Sequence, residues 1–247
     1  MKFVRDTFET SFLTKERLKN SFIMKRCSLL RNGGADRIMH DVLEEIKKTK
    51  LVAIIRGDSS EGLENTVSSL YAGGIRVIEV TMNTPGALNG IEKMKTLYPD
   101  LLVGAGTVLD SETARLAILS GASFLLTPTL KKETIEAANR YNVPIVPGVF
   151  TPTEALTAYE YGAKMVKIFP IRSLGSKYLS DLKGPLPYIQ TMVVGGVSLD
   201  NAEEYLRAGA SSLGIGSSLV DDKLIQQGDF GEIERRAARF VEIVNKV

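Results

Sequence analysis

The 247 residues, 44% of them hydrophobic, suffice for one large α/β domain with a sizeable core. With 31 basic and 29 acidic side chains the formal charge is +2, which gives no reason to expect nucleic acid or an acidic membrane surface as partner. One cysteine (Cys27) and one histidine (His40, outside the regular part of the chain) exclude a disulfide framework and a zinc site built on several Cys or His ligands. No apolar run approaches the ~20 residues of a membrane span. A soluble protein of a reducing compartment is expected, with no metal and no cofactor.

Residues 1–38 differ from the rest. They are charged and mixed, with Lys25, Arg26 and Arg31 before Gly33-Gly34, and read as an N-terminal extension with no chemistry assigned. Asp6, Glu9 and Glu16 argue against a transit peptide. Met39-His40-Asp41 with Val42, Leu43 and Ile46 begins an amphipathic helix and the compact domain, taken as 39–247.

From Leu51 a unit recurs: a short β-rich run, a turn, then about a dozen residues of helical pattern. The predicted strands are Leu51–Arg56, Arg76–Val80, Leu101–Gly104, Ser123–Leu126, Pro144–Val146, Lys164–Ile168, Thr191–Val194 and Ser212–Gly214. Helical stretches follow each, from Glu61–Ala72 to Gly231–Val244, and several stop at a glycine (Gly73, Gly121, Gly162, Gly209). Eight strand–helix units with short loops predict a closed (β/α)₈ TIM barrel of the α/β class. An open doubly wound sheet is the runner-up, but a G-x-G-x-x-G turn is missing after the first strand.

In such a barrel the active site lies at the carboxyl ends of the strands. The sixth carries Ala163-Lys164-Met165-Val166-Lys167-Ile168-Phe169-Pro170, where alternation sets Lys167 on one face with Ala163, Met165 and Phe169. A lysine desolvated there loses proton affinity and becomes a nucleophile for a carbonyl. Glu79, on the face of Val77 in the second strand, projects into the same lumen and offers a proton acceptor. The other reading of these two residues is a structural ion pair. Arg56 ends the first strand with a donor fork for a carboxylate or phosphate, the other reading being a surface ion pair; Pro128 and Phe169 wall the site, the other reading of the aromatic being plain packing. Gly195-Gly196 after the seventh strand and Gly216-Ser217 after the eighth match the usual barrel phosphate site, where glycine backbone N–H groups approach the anion.

Four motifs in order then resemble a known family: Ala72-Gly73-Gly74 with Ile78-Glu79-Val80, Val103-Gly104-Ala105-Gly106-Thr107-Val108, Lys167-Ile168-Phe169-Pro170, and Val194-Gly195-Gly196-Val197. From Leu51 to Val247 the chain is similar to the class I aldolases for 2-keto-3-deoxy-6-phospho sugar acids and 4-hydroxy-2-oxoglutarate. The resemblance implies Lys167 as Schiff-base lysine, Glu79 as general acid/base, and Arg56 with Thr107 near the pyruvyl carboxylate. It further implies Gly195, Gly196, Gly216 and Ser217 around a phosphate, and a cytoplasmic homotrimer acting on a phosphorylated keto acid and pyruvate. Two positions depart from the gluconate-type pattern: Asn83 stands in place of arginine, and Val194 in place of the threonine of Pro-Thr-Gly-Gly. Both are closer to the galactonate branch, and Val194 lacks a hydroxyl for the substrate's C4 hydroxyl. The alternatives are a phosphate-binding barrel epimerase or synthase, which needs no reactive lysine, and a catalytically silent oligomeric scaffold.

Overall fold

The computed structural model describes residues 34–57 and 62–247. Residues 1–33 of the expected extension lie outside them. Helix α1 (Gly34–Thr49) begins five residues before the expected start at Met39 and takes in His40. The compact unit runs from Val42 to Val247, and of the preceding unit only the first turns of α1 are described.

The chain then alternates strand and helix: β1 (Leu51–Ile55), α2 (Leu63–Ala72), β2 (Val77–Thr81), α3 (Ala87–Leu97), β3 (Leu102–Gly106), α4 (Ser111–Leu119), β4 (Leu125–Leu126), α5 (Lys132–Arg140). It continues through β5 (Ile145–Val146), β6 (Gly148–Val149), α6 (Pro152–Glu160), β7 (Met165–Ile168), a 3₁₀ turn (Ile171–Ser173), α7 (Gly175–Lys183) and β8 (Gln190–Val194). It ends with α8 (Ala202–Arg207), β9 (Ser212–Ile215), α9 (Asp222–Gln227) and α10 (Phe230–Asn245). All strand pairs are parallel, in the order β5-β4-β3-β2-β1-β9-β8-β7-β6.

The two ends of that order, β5 and β6, are separated in the chain by Pro147 alone, so the sheet closes on itself. They are one barrel strand interrupted. Proline has no N–H to give the ladder, so the pairing with β4 ends at Val146 and the pairing with β7 resumes at Gly148. The Pro147 carbonyl still accepts from Lys167 N at 2.8 Å. This corrects the expected strand Pro144–Val146, which stopped short of Gly148 and Val149. The barrel itself is the expected (β/α)₈ architecture.

Burial on both faces explains why strands such as Leu51-Val52-Ala53-Ile54-Ile55 are continuously apolar. Odd and even positions serve different cores. Leu51, Ala53 and Ile55 pack outward under the helices, while Val52 and Ile54 join Val77, Phe124, Leu126, Val146, Met165 and Met192 in the lumen. Leu43 and Ile46 of α1 belong to this inner cluster and close the lumen where the strands begin. The lumen is therefore filled at that end, where the buried Ser212 hydroxyl meets Met165 Sδ at 3.8 Å, and carries its charged groups at the other. Capping fixes several helix starts: Asp110 accepts from Thr113 N for α4, and Thr151 and Glu154 form a capping box for α6 with Pro152 at its first turn.

Helix α2 stops at Gly73 as expected, with Gly73 at φ −72 and Gly74 taking the left-handed φ of 93. Helix α9 has no counterpart in the sequence reading, because six residues between two loops carry too little periodicity to be seen.

Candidate active site

On β7, Met165 and Lys167 face inward one above the other, and both are buried, Lys167 to 5% exposure. Register places Lys167 between Gly148 on β6 and Met192 on β8. Its ammonium lies 4.9 Å from the centroid of the Phe169 ring. On β2 the same alternation sets Glu79 above Val77, at 1% exposure and in register between Ile54 and Gly104.

The two groups titrate against their surroundings. Burial pushes the Glu79 carboxyl up from its ordinary value, partly offset by the charges of Lys167 and Arg56. Burial also holds Lys167 below the usual lysine range; Glu79 opposes that shift, and Arg56 adds to it. Yet among the described residues Glu79 Oε2 has no hydrogen-bond partner, and no ion pair joins it to Lys167. A buried carboxylate oxygen left unmatched costs free energy unless something else meets it, so a structural ion pair is a poor account of these residues. The geometry suits a carboxyl that receives a substrate hydroxyl or a water.

Glycine at 106 makes room for that carboxyl. A Cβ there would overlap the Glu79 Oε1 and Cδ atoms. Gly106→Ala is expected to displace Glu79 and cost about 1–3 kcal/mol of stability through overpacking. Turnover should fall with it, by tenfold or so for each ~1.4 kcal/mol of lost transition-state contact. Thermal unfolding beside turnover checks this, and a variant as active as the parent would contradict it.

The turn after β3 is held from both sides: Met82 N donates to Gly106 O at 2.8 Å, and Val108 N to Leu126 O at 3.2 Å. Between them Thr107 adopts φ 54, a conformation that costs a non-glycine residue of order 1 kcal/mol and that clusters at working sites. Beyond β1, Gly57 N donates to the hydroxyl of buried Thr84, itself bonded to Thr81, which ties the Arg56 loop to the end of β2.

A cavity of about 470 Å³ opens at the ends of β1, β7, β8 and β9. It is lined by Arg56, Phe169, Val194, Gly195, Gly196, Gly216 and Ser217 from the sequence reading. Lys167 and Glu79 are buried in the neighbouring lumen, and Thr107 and Pro128 end strands on its other side, outside this lining. Gly195 and Gly196 take φ 87 and 102, as an anion-cradling turn requires. The lining also includes residues the sequence reading missed: Arg172 of the 3₁₀ turn, Ser218, and Asp221 with Asp222 at the start of α9. Ser218 gave a signal, since it directly follows Ser217; its hydroxyl, however, donates to Val197 O at 2.6 Å and so locks the two loops together.

Known proteins resemble this chain in sequence and in fold. A family profile described as "Aldolase: KDPG and KHG aldolase" matches residues 42–236. The 2-dehydro-3-deoxy-phosphogluconate aldolase of Haemophilus influenzae is 33% identical over 204 residues, 82% of this chain and 96% of that protein. Among solved structures, a native KDPGal structure superposes with a TM-score of 0.75 at 32% identity, covering 79% of this chain and 94% of the other. The KDPG aldolase of Legionella pneumophila, with pyruvate captured at low pH as a covalent carbinolamine, gives a TM-score of 0.71 at 29% identity over 77% and 93%.

Proposed function

The chain belongs to the KDPG and KHG aldolase family, and from that premise we propose that it is a class I aldolase cleaving a 2-keto-3-deoxy-6-phospho sugar acid to pyruvate and glyceraldehyde 3-phosphate. The observation that carries the reading is the buried Lys167, in no ion pair with a described residue, beside a buried carboxyl whose Oε2 has no hydrogen-bond partner among the described residues. Burial keeps a larger fraction of that amine neutral than in an exposed lysine, and only the neutral amine attacks.

Lys167 Nζ adds to the C2 carbonyl, giving a carbinolamine; loss of water leaves a protonated imine. The C3–C4 bond then breaks, its electron pair moving into the imine as an enamine while the C4 hydroxyl proton passes to Glu79 and C4 becomes the aldehyde. Returning that proton to C3 of the enamine and hydrolysing the imine releases pyruvate and restores the amine. Glu79 suits both transfers because burial raises its proton affinity above that of an ordinary carboxylate, which makes it a better proton acceptor. Arg56 and Thr107 hold the pyruvyl carboxylate, with Pro128 and Phe169 as walls. The loops at Gly195, Gly196, Gly216 and Ser217 hold the far phosphate, whose binding energy positions the reacting end.

Asn83 and Val194 favour the galactonate-type epimer: Val194 lines the cavity and presents methyl groups where a threonine would offer a hydroxyl. The catalytic unit is the barrel of 39–247, with 1–38 as an extension, working as a cytoplasmic homotrimer on small molecules. Exposed large apolar side chains such as Leu109, Leu116 and Phe150 offer surface for subunit contact. Sedimentation should show a three-chain species, and a monomer would contradict the trimer.

The direct test supplies each epimer, and 4-hydroxy-2-oxoglutarate, and measures pyruvate with lactate dehydrogenase. Pyruvate from the galactonate-type acid at a kcat/KM above that of the gluconate-type acid is expected. No pyruvate from any of the three would overturn the reading.

A further inference from the structure

Resting on the aldolase reading above, we propose that Arg172 is the cation that recognises the far phosphate and sets the preference for phosphorylated over unphosphorylated substrate. Arg172 is not part of any glycine loop or strand end. The Phe169–Pro170 peptide leads into the short turn that carries it, and its backbone N–H donates to Gly195 O at 3.0 Å, which fixes it to the glycine turn after β8. Its aliphatic stem lies along the open side of Gly196: a Cβ built there would meet Arg172 Cβ, Cγ and Cδ at 2.5, 3.3 and 3.4 Å. Glycine at 196 thus serves two ends, the left-handed turn and the seat of the arginine stem.

Charge in the cavity gives that arginine a task. The lining carries two cations, Arg56 and Arg172, and two carboxylates, Asp221 and Asp222. Asp221 is committed as the cap of α9, accepting from Lys223 N at 2.9 Å. A phosphate cradled by glycine N–H groups alone would face those carboxylates uncompensated. With Arg56 serving the carboxylate at the other end of the substrate, Arg172 is the remaining lining cation. It makes no ion pair with a described residue, so its guanidinium fork is free for a phosphate.

The experiment compares the parent chain with Arg172→Gln and Arg172→Lys, using the phosphorylated keto-deoxy acid and the same acid without its phosphate. Arg172→Gln should lower kcat/KM for the phosphorylated acid about 10- to 100-fold, the scale of a charge-assisted hydrogen bond, mostly through KM. Activity on the unphosphorylated acid should be unchanged, and Arg172→Lys should recover part of the loss. Inorganic phosphate should inhibit the parent competitively and the Arg172→Gln variant more weakly. An equal loss on both acids would mean that Arg172 only supports the loop, and an undiminished kcat/KM for the phosphorylated acid would exclude it from the phosphate site; either overturns the inference while the aldolase reading stands. A parent chain that cleaves neither acid would overturn both.

Discussion

Lys167→Met is expected to lose aldolase turnover by at least about 10⁴-fold, the scale on which enzymes lose rate when a covalent nucleophile is removed. The thioether fills similar space but cannot form the imine, and nothing else in the lumen supplies an electron sink for the C3–C4 bond. Lys167→Arg should be equally inactive, because a guanidinium does not deprotonate at accessible pH. Stability should move the other way. A lysine held below its ordinary value binds fewer protons folded than unfolded, so its cost to the fold is absent at pH above the unfolded value and present at neutral pH. Removing it should leave the thermal midpoint of Lys167→Met at neutral pH unchanged or higher. With Lys167 gone, Glu79 loses one of the two charges that lower its pKa, so its proton affinity rises further. Turnover of Lys167→Met within tenfold of the parent would remove the imine from the mechanism.

Glu79→Gln should lower kcat by about 10²–10⁴-fold, the usual contribution of a positioned acid/base. A second consequence separates that role from simple packing. The Glu79 charge raises the proton affinity of Lys167, so the amide variant leaves Lys167 with a still lower pKa. The pH at which pyruvate imine begins to form should therefore shift downward in Glu79→Gln, even as turnover falls. An upward shift, or no loss of kcat, would contradict the assignment of Glu79 as the proton carrier.

Most of this arrangement was legible in the sequence because the barrel writes itself in repeats. Eight β-rich runs spaced by helices give the closed sheet, and the alternation Val77/Glu79 and Met165/Lys167 gives two charges in one lumen. What was not legible depends on contacts across the chain. The break of the fifth barrel strand at Pro147 cannot be told from a strand end, since a proline reads as a stop until its neighbours show the ladder resuming at Gly148. Gly106 looks like one more small residue of a motif; only the approach of the Glu79 carboxyl shows why a side chain is barred there. Arg172 sits in an aperiodic turn, and its place at the cavity is set by Gly196, twenty-four residues away. The ion-pair reading of Lys167 and Glu79 could not be set aside from residue types alone; the unmatched Oε2 argues against it.

Borohydride trapping decides whether Lys167 is the covalent nucleophile. The folded protein is incubated with pyruvate, reduced, and the added mass is mapped by peptide sequencing. A pyruvyl adduct is expected at Lys167 alone, absent from Lys167→Met. No adduct on folded protein, or an adduct at an exposed lysine with Lys167 unmodified, would contradict it.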